Sequence, residues 1–111
     1  MKSVVVSLGG SVLLADSVDS DFLKKLAQLI ERLHQRFRLF IVVGGGNVAR
    51  SYINRGRLLG FTEEELDVLG IEVTRVNARF LSMLFSKTNQ MIPRTTDDAV
   101  KFSEDVVVMG G

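Results

Sequence analysis

Three short aliphatic runs in this chain each stop at consecutive glycines, and that repeated stop limits the possible folds more than any other feature. Lys2 to Leu8 ends at Gly9-Gly10, Leu39 to Val43 at Gly44-Gly45-Gly46, and Asp105 to Met109 at Gly110-Gly111. Short β-branched and aliphatic runs bounded by turn residues read as buried strands. Between the first two runs, Phe22, Leu26, Leu29, Ile30, Leu33 and Phe37 recur at helical spacing, and Ser20 or Asp21 suits the N-cap. A second helix is expected from Asn47 to about Leu59, closed by Gly60. Thr62-Glu63-Glu64-Glu65 has the form of a capping box and opens a third, whose expected apolar stripe is Leu66, Leu69, Val73, Val76, Phe80 and Leu84. Gly70 interrupts that stripe at a cost of about 1 kcal/mol relative to alanine, so a break there is allowed for. Gln90 to Pro93 reads as a short strand, and Thr96 to Phe102 as a short helix capped by Thr95 or Thr96. Strands alternating with helices predict an α/β fold with parallel pairing and crossover helices on both faces.

The chain has 111 residues, which suits a single α/β domain spanning 1–111. Fourteen basic residues almost cancel thirteen acidic ones, so a net charge of +1 gives no basic field for a nucleic acid polymer. Cysteine is absent and His34 stands alone, which excludes disulfides, thiolate metal sites and a histidine zinc cluster. No apolar run approaches the ~18 residues of a membrane span, and no signal-peptide pattern opens the chain. A cytoplasmic protein with no membrane partner is expected. Val106 to Met109 has the apolar density of a central parallel strand, yet no crossover helix follows it. The expectation is therefore half of a larger fold, with a self-contained small domain left open.

Glycine at a strand's carboxyl end lets backbone approach a ligand and permits positive φ, and ligands of open α/β sheets sit at that end. A helix N-terminus adds unpaired N–H groups and a partial positive charge. Gly44-Gly45-Gly46 runs straight into a helix, with Arg50 about one turn further on. Strand, glycine and helix repeated along one sheet edge point to phosphate binding. A P-loop is excluded because Asn47-Val48 stands where lysine and a hydroxyl are required. Gly44 to Ala49 matches the dinucleotide fingerprint, but the acidic residue about 20 positions on, Asp67, falls inside a helix and not at a strand end. That position disfavours a dehydrogenase.

Ser7-Leu8-Gly9-Gly10-Ser11, Val42 to Arg50, Gly70-Ile71 and Thr74-Arg75-Val76-Asn77-Ala78 together resemble the amino acid kinase superfamily, and within it the UMP kinase branch of archaeal type. The Thr-Arg-x-Asn-Ala helix after an aspartate and Gly-Ile selects that branch. The resemblance covers essentially the whole chain but only the N-terminal, acceptor-binding half of such an enzyme. It implies a three-layer sandwich with a mostly parallel central sheet, the C-terminal ATP-binding part lying outside this sequence. It also implies transfer of the ATP γ-phosphate to UMP, giving UDP for pyrimidine nucleotide synthesis, with Mg²⁺ accompanying ATP. This fragment alone is expected to be inactive.

By the same resemblance, Ser7, Leu8, Gly9, Gly10 and Ser11 line the ATP phosphates, and Gly46 and Arg50 lie where donor and acceptor phosphates meet. Gly45 contacts UMP through its backbone, and Asp67 binds its nucleoside. Many superfamily members carry a lysine where this chain has Ser7, although the archaeal branch often lacks it. Homo-oligomers, dimers or hexamers, are implied for the full-length form. No catalytic side chain and no metal ligand is assigned in this half. Phosphoryl transfer asks a protein for positioning and charge stabilisation, not for a covalent nucleophile. Two other readings stay open: a sister kinase acting on an isoprenoid phosphate or a carboxylate, and a non-catalytic domain that binds nucleotide or assembles with a partner.

Outside that constellation the residues have ordinary readings. His34 reads as a helix C-terminal residue, Phe22, Phe37, Phe80 and Phe85 as core or dimer contacts, and Arg55 and Arg57 as a solvated face. Arg75 and Asn77, taken without the family, read as helix-surface residues, and Glu63 to Glu65 as a helix-start cluster.

Overall fold

The computed structural model describes residues 2–14, 20–85, 88, 89 and 91–111. The elements run β1 (Lys2–Leu8), α1 (Ser11–Leu14), α2 (Ser20–Leu33), β2 (Phe37–Val43), α3 (Gly46–Leu58), α4 (Glu63–Leu84), α5 (Thr96–Ala99) and β3 (Val106–Gly110). The strands form a wholly parallel sheet in the order β1-β2-β3, with Val4, Leu39 and Val106 in register, as are Leu8, Val43 and Gly110. Parallel pairing puts all three glycine stops at one end of the sheet.

Alternation along the strands divides the side chains between two layers. Leu39, Ile41, Val43, Val106 and Val108 face α2 and α4 and pack with Ile30, Ala78, Leu81 and Phe85. The opposite face, with Phe40, Val42, Val107 and Met109, is covered by Ala99 of α5 and by Phe102. Crossover helices thus lie on both faces, but unequally. The second face is bare over β1, where Val5 is 68% exposed. Arg38 also belongs to this face; its guanidinium lies 5.0 Å from the Phe40 ring centre and donates to the Phe102 carbonyl.

The structure corrects several local expectations. Phe37 opens β2 and does not end α2, because the parallel register pairs it with Lys2. α2 starts at Ser20, so its cap position, Asp19, lies outside the described residues. α5 stops at Ala99, freeing Phe102 to cover the sheet. Gln90 lies outside the described residues, and Met91 to Pro93 are not a strand. An isolated bridge joins Thr88 to Val106 instead, and the buried Asn89 side chain accepts from the Val108 N–H at 2.8 Å and donates to its carbonyl at 3.0 Å. One carboxamide imitates a peptide group at the sheet edge.

α4 is unbroken through Gly70. Thr62 caps it with both halves of the capping box formed, the Thr62 Oγ1 accepting from the Glu65 N–H at 3.1 Å. Its stripe is rotated from the expected one. Leu66, Thr74, Asn77, Ala78, Leu81 and Ser82 are buried, whereas Val76 is 67% and Met83 76% exposed. The inward face therefore carries polar residues where the helix passes the glycine turns.

Candidate functional site

The Gly9-Gly10 and Gly44-Gly46 turns pack main chain against main chain. The Gly44 N–H donates to the Leu8 carbonyl at 3.1 Å, and that of Gly111 to the Val43 carbonyl at 2.8 Å. A Cβ on Gly10 would lie 2.2 Å from the Gly44 oxygen and 2.7 Å from the Gly46 nitrogen. Gly46 has φ of 62°, and a Cβ there would lie 2.3 Å from the Ser11 nitrogen. Only residues without a side chain fit at these two positions. Gly9 differs: a Cβ there would meet nothing within 4 Å.

Behind the second turn, α3 opens with Gly45 at its N-cap and no side chain to cap it. Its first N–H groups have no intrahelical partners, and the helix dipole adds partial positive charge there. Arg50, one turn in, extends this positive end across to the first turn. Its Nη2 donates to the Ser11 Oγ at 3.0 Å and to the Asn47 Oδ1. Arg57, at the other end of α3, pairs with Glu63 at 3.3 Å on the solvated face expected for it.

A cleft of about 430 Å³ opens where α3 and α4 diverge at this end of the sheet. Gly45, Gly46, Arg50 and Asp67 line it, with Ile53, Leu66 and Ile71 as its apolar wall and Gly111 at its base. Asp67 is exposed on α4. The cleft thus has a cationic, amide-rich side on α3 and a carboxylate on α4, which suits a ligand with an anionic end and a hydrogen-bonding body. Ser7 to Ser11 do not line it; they form the adjoining turn. Leu8 contributes backbone there, since its side chain packs against the core, and Ser7 is exposed on the face shared with Val42.

Two polar side chains of the Thr74-Arg75-Val76-Asn77-Ala78 motif, on which the family resemblance rests, shape this end of the fold. Thr74 is buried between the turns: a Cβ on Gly110 would lie 2.4 Å from its Oγ1, and one on Gly45 would lie 3.6 Å from its Cγ2. Asn77, expected on the surface, is buried and donates to the Gly44 carbonyl at 2.8 Å. The signal was available in the spacing Leu66, Gly70, Thr74, Asn77, Leu81, Phe85, a helical period masked by its polar members. Arg75 is half-buried and donates to the Pro93 and Ile92 carbonyls at 3.2 and 3.0 Å. A second cavity, of about 500 Å³, lies beside it, lined by Arg94, Lys101 and Phe102 among others, but contains neither glycine turn. Among the described residues no group of three or more histidine or acidic side chains could hold a metal ion, and no helix is long and apolar enough to cross a membrane.

The chain matches the model of the amino acid kinase family over residues 2–108. It is 44% identical to a uridylate kinase of Thermoplasma volcanium, covering 99% of this chain and 49% of that protein. It is 45% identical to a uridylate kinase of Thermoplasma acidophilum, covering 99% and 48%. The crystal structure of uridylate kinase from Archaeoglobus fulgidus superposes with a TM-score of 0.88 at 42% identity, over 100% of this chain and 51% of that one. The chain thus spans about half the length of the curated relatives it matches.

Proposed function

From the premise that this chain belongs to the amino acid kinase family, we propose that it is the acceptor-binding half of a UMP kinase, which passes the γ-phosphate of ATP to UMP. The observation that carries the reading is the meeting of two glycine turns at one sheet end, bridged by Arg50. A transfer between two bound phosphates needs both anions at one place, and this arrangement offers main-chain donors from neighbouring strand tips.

In this reading the acceptor phosphate lies against the Gly45 and Gly46 amides at the start of α3. The nucleoside extends along the cleft to Asp67, and ATP phosphates lie over the Ser7 to Ser11 turn. Arg50 gives up neutral partners, Ser11 and Asn47, for phosphate oxygens, a stronger charge-assisted bond. The loose transition state spreads charge over the transferring group's oxygens, and these fixed donors stabilise it without reorganising. Mg²⁺, carried by the ATP phosphates, supplies further neutralisation; this chain's residues bind phosphate and orient it.

The test measures ADP release with UMP, CMP, AMP and isopentenyl phosphate, in a polypeptide that supplies the remaining half of the family fold. Strong preference for UMP is expected. Preference for isopentenyl phosphate would replace the reading with a sister kinase. No turnover with any acceptor, alongside intact nucleotide binding, would favour a non-catalytic binding domain.

A further inference from the structure

Asn77 is 4% exposed and spends its amide on the second glycine turn. Its Nδ2 donates to the Gly44 carbonyl at 2.8 Å and stands 3.5 Å from that of Gly45. The first is a good hydrogen bond and the second marginal. The Gly45 carbonyl also accepts the Ala49 N–H at 3.3 Å, so helix formation orients that peptide. The Gly44 carbonyl lies outside the helix; Gly10 packs against it, and Asn77 donates its hydrogen bond.

A trans peptide is planar, so the Gly44 carbonyl and the Gly45 N–H point in opposite directions, and the described chain has no cis bonds. Drawing the oxygen toward Asn77 turns the Gly45 N–H away from it. The peptide joins two glycines, so local φ and ψ preferences permit a flip, which the Asn77 hydrogen bond and the Gly10 packing oppose. Flipped, it would present a carbonyl oxygen where the N–H had been, and a phosphate would be repelled.

Resting on the functional reading above, we infer that Asn77 is a positioning residue for phosphate binding. Its side-chain amide fixes the 44–45 peptide so that the Gly45 N–H is presented to the anion. It need not touch the ligand.

The diagnostic variant is Asn77→Asp, nearly the same shape. Its carboxylate repels the Gly44 oxygen and accepts the Gly45 N–H, which flips the peptide while the core stays filled. UMP and uridine are titrated into this chain, ¹⁵N-labelled, within a polypeptide that supplies the remaining half of the family fold, with the Gly45 and Asp67 amides as reporters. UMP affinity should fall about tenfold to a hundredfold, the range of one charge-assisted hydrogen bond, with uridine changed by less than about twofold. The Gly45 amide should stop responding to UMP while Asp67 still responds. Should N77D lack a dispersed spectrum, Asn77→Ser, which keeps a donor, carries the same comparison and should lose less. Unchanged UMP binding, or equal losses for UMP and uridine, would overturn the positioning role and leave the functional reading standing. If the Gly45 amide of that unmodified polypeptide ignores UMP, the functional reading fails and takes this inference with it.

Discussion

The two glycine turns are alike in sequence and unlike in what surrounds them. Gly9-Gly10 leads into α1, of which Ser11–Leu14 are described, and Gly44-Gly46 into α3, which has thirteen residues. The thirteen residues of α3 align many peptide dipoles, so partial positive charge gathers at its start. The second turn is held by Asn77 and braced by Thr74, while the first presses on it as a backing of bare main chain. Similar strand-glycine sequences thus sit in different surroundings: one turn opens a long helix, and the other packs against it. Even within the first turn the glycines differ. Gly10 has no room for a side chain, whereas Gly9 has open space.

The comparison breaks most visibly at the point of contact. Gly46→Ala combines a left-handed backbone with a collision against Ser11, and should cost about 3 kcal/mol in urea unfolding, the sum of an αL penalty and overpacking. Gly10→Ala, pressed against Gly44 and Gly46 backbone, should be nearly as severe. If either variant unfolds at the unmodified midpoint, the turns are not in contact. Arg50→Ala, on an exposed residue, should leave stability within about 0.5 kcal/mol, yet weaken UMP and ATP binding by about tenfold or more in calorimetry. Equal losses of fold and binding would make Arg50 a structural brace instead.

Thr62→Ala sharpens the contrast between a side-chain cap on α4 and the uncapped start of α3. It should cost about 1 kcal/mol of stability and leave nucleotide affinity unchanged. The smallest effect is expected for Gly9→Ala, within about 0.5 kcal/mol by the same unfolding assay. A large loss there would erase the difference between the two glycines.

Much of the architecture was readable before any coordinates. β1 was bounded correctly because a β-branched run between polar and glycine residues admits little else, and the capping box marked the start of α4 correctly. The rotated stripe of α4 was masked by its polar members. Counting apolar residues selects Val76 and Phe80, both exposed, over Thr74 and Asn77, both buried. Burying those polar groups is tolerable only with partners, and the partners are Ile71 and Gly44 carbonyls. Nothing in a linear pattern announces a main-chain partner 33 positions away. Asn89, paired with Val108, escaped notice for the same reason.

The sequence by itself determined the α/β class, the parallel sheet and the glycine stops at the strand ends, because local propensity, period and motif spacing are properties of neighbours along the chain, and its motifs carried the resemblance to the amino acid kinase family. Only the tertiary structure decided which glycine must be glycine, which face of α4 turns inward, and which side chain orients the 44–45 peptide. Those depend on steric contact and hydrogen bonding between segments far apart in sequence, and such contacts exist only once the sheet has brought the strand ends together.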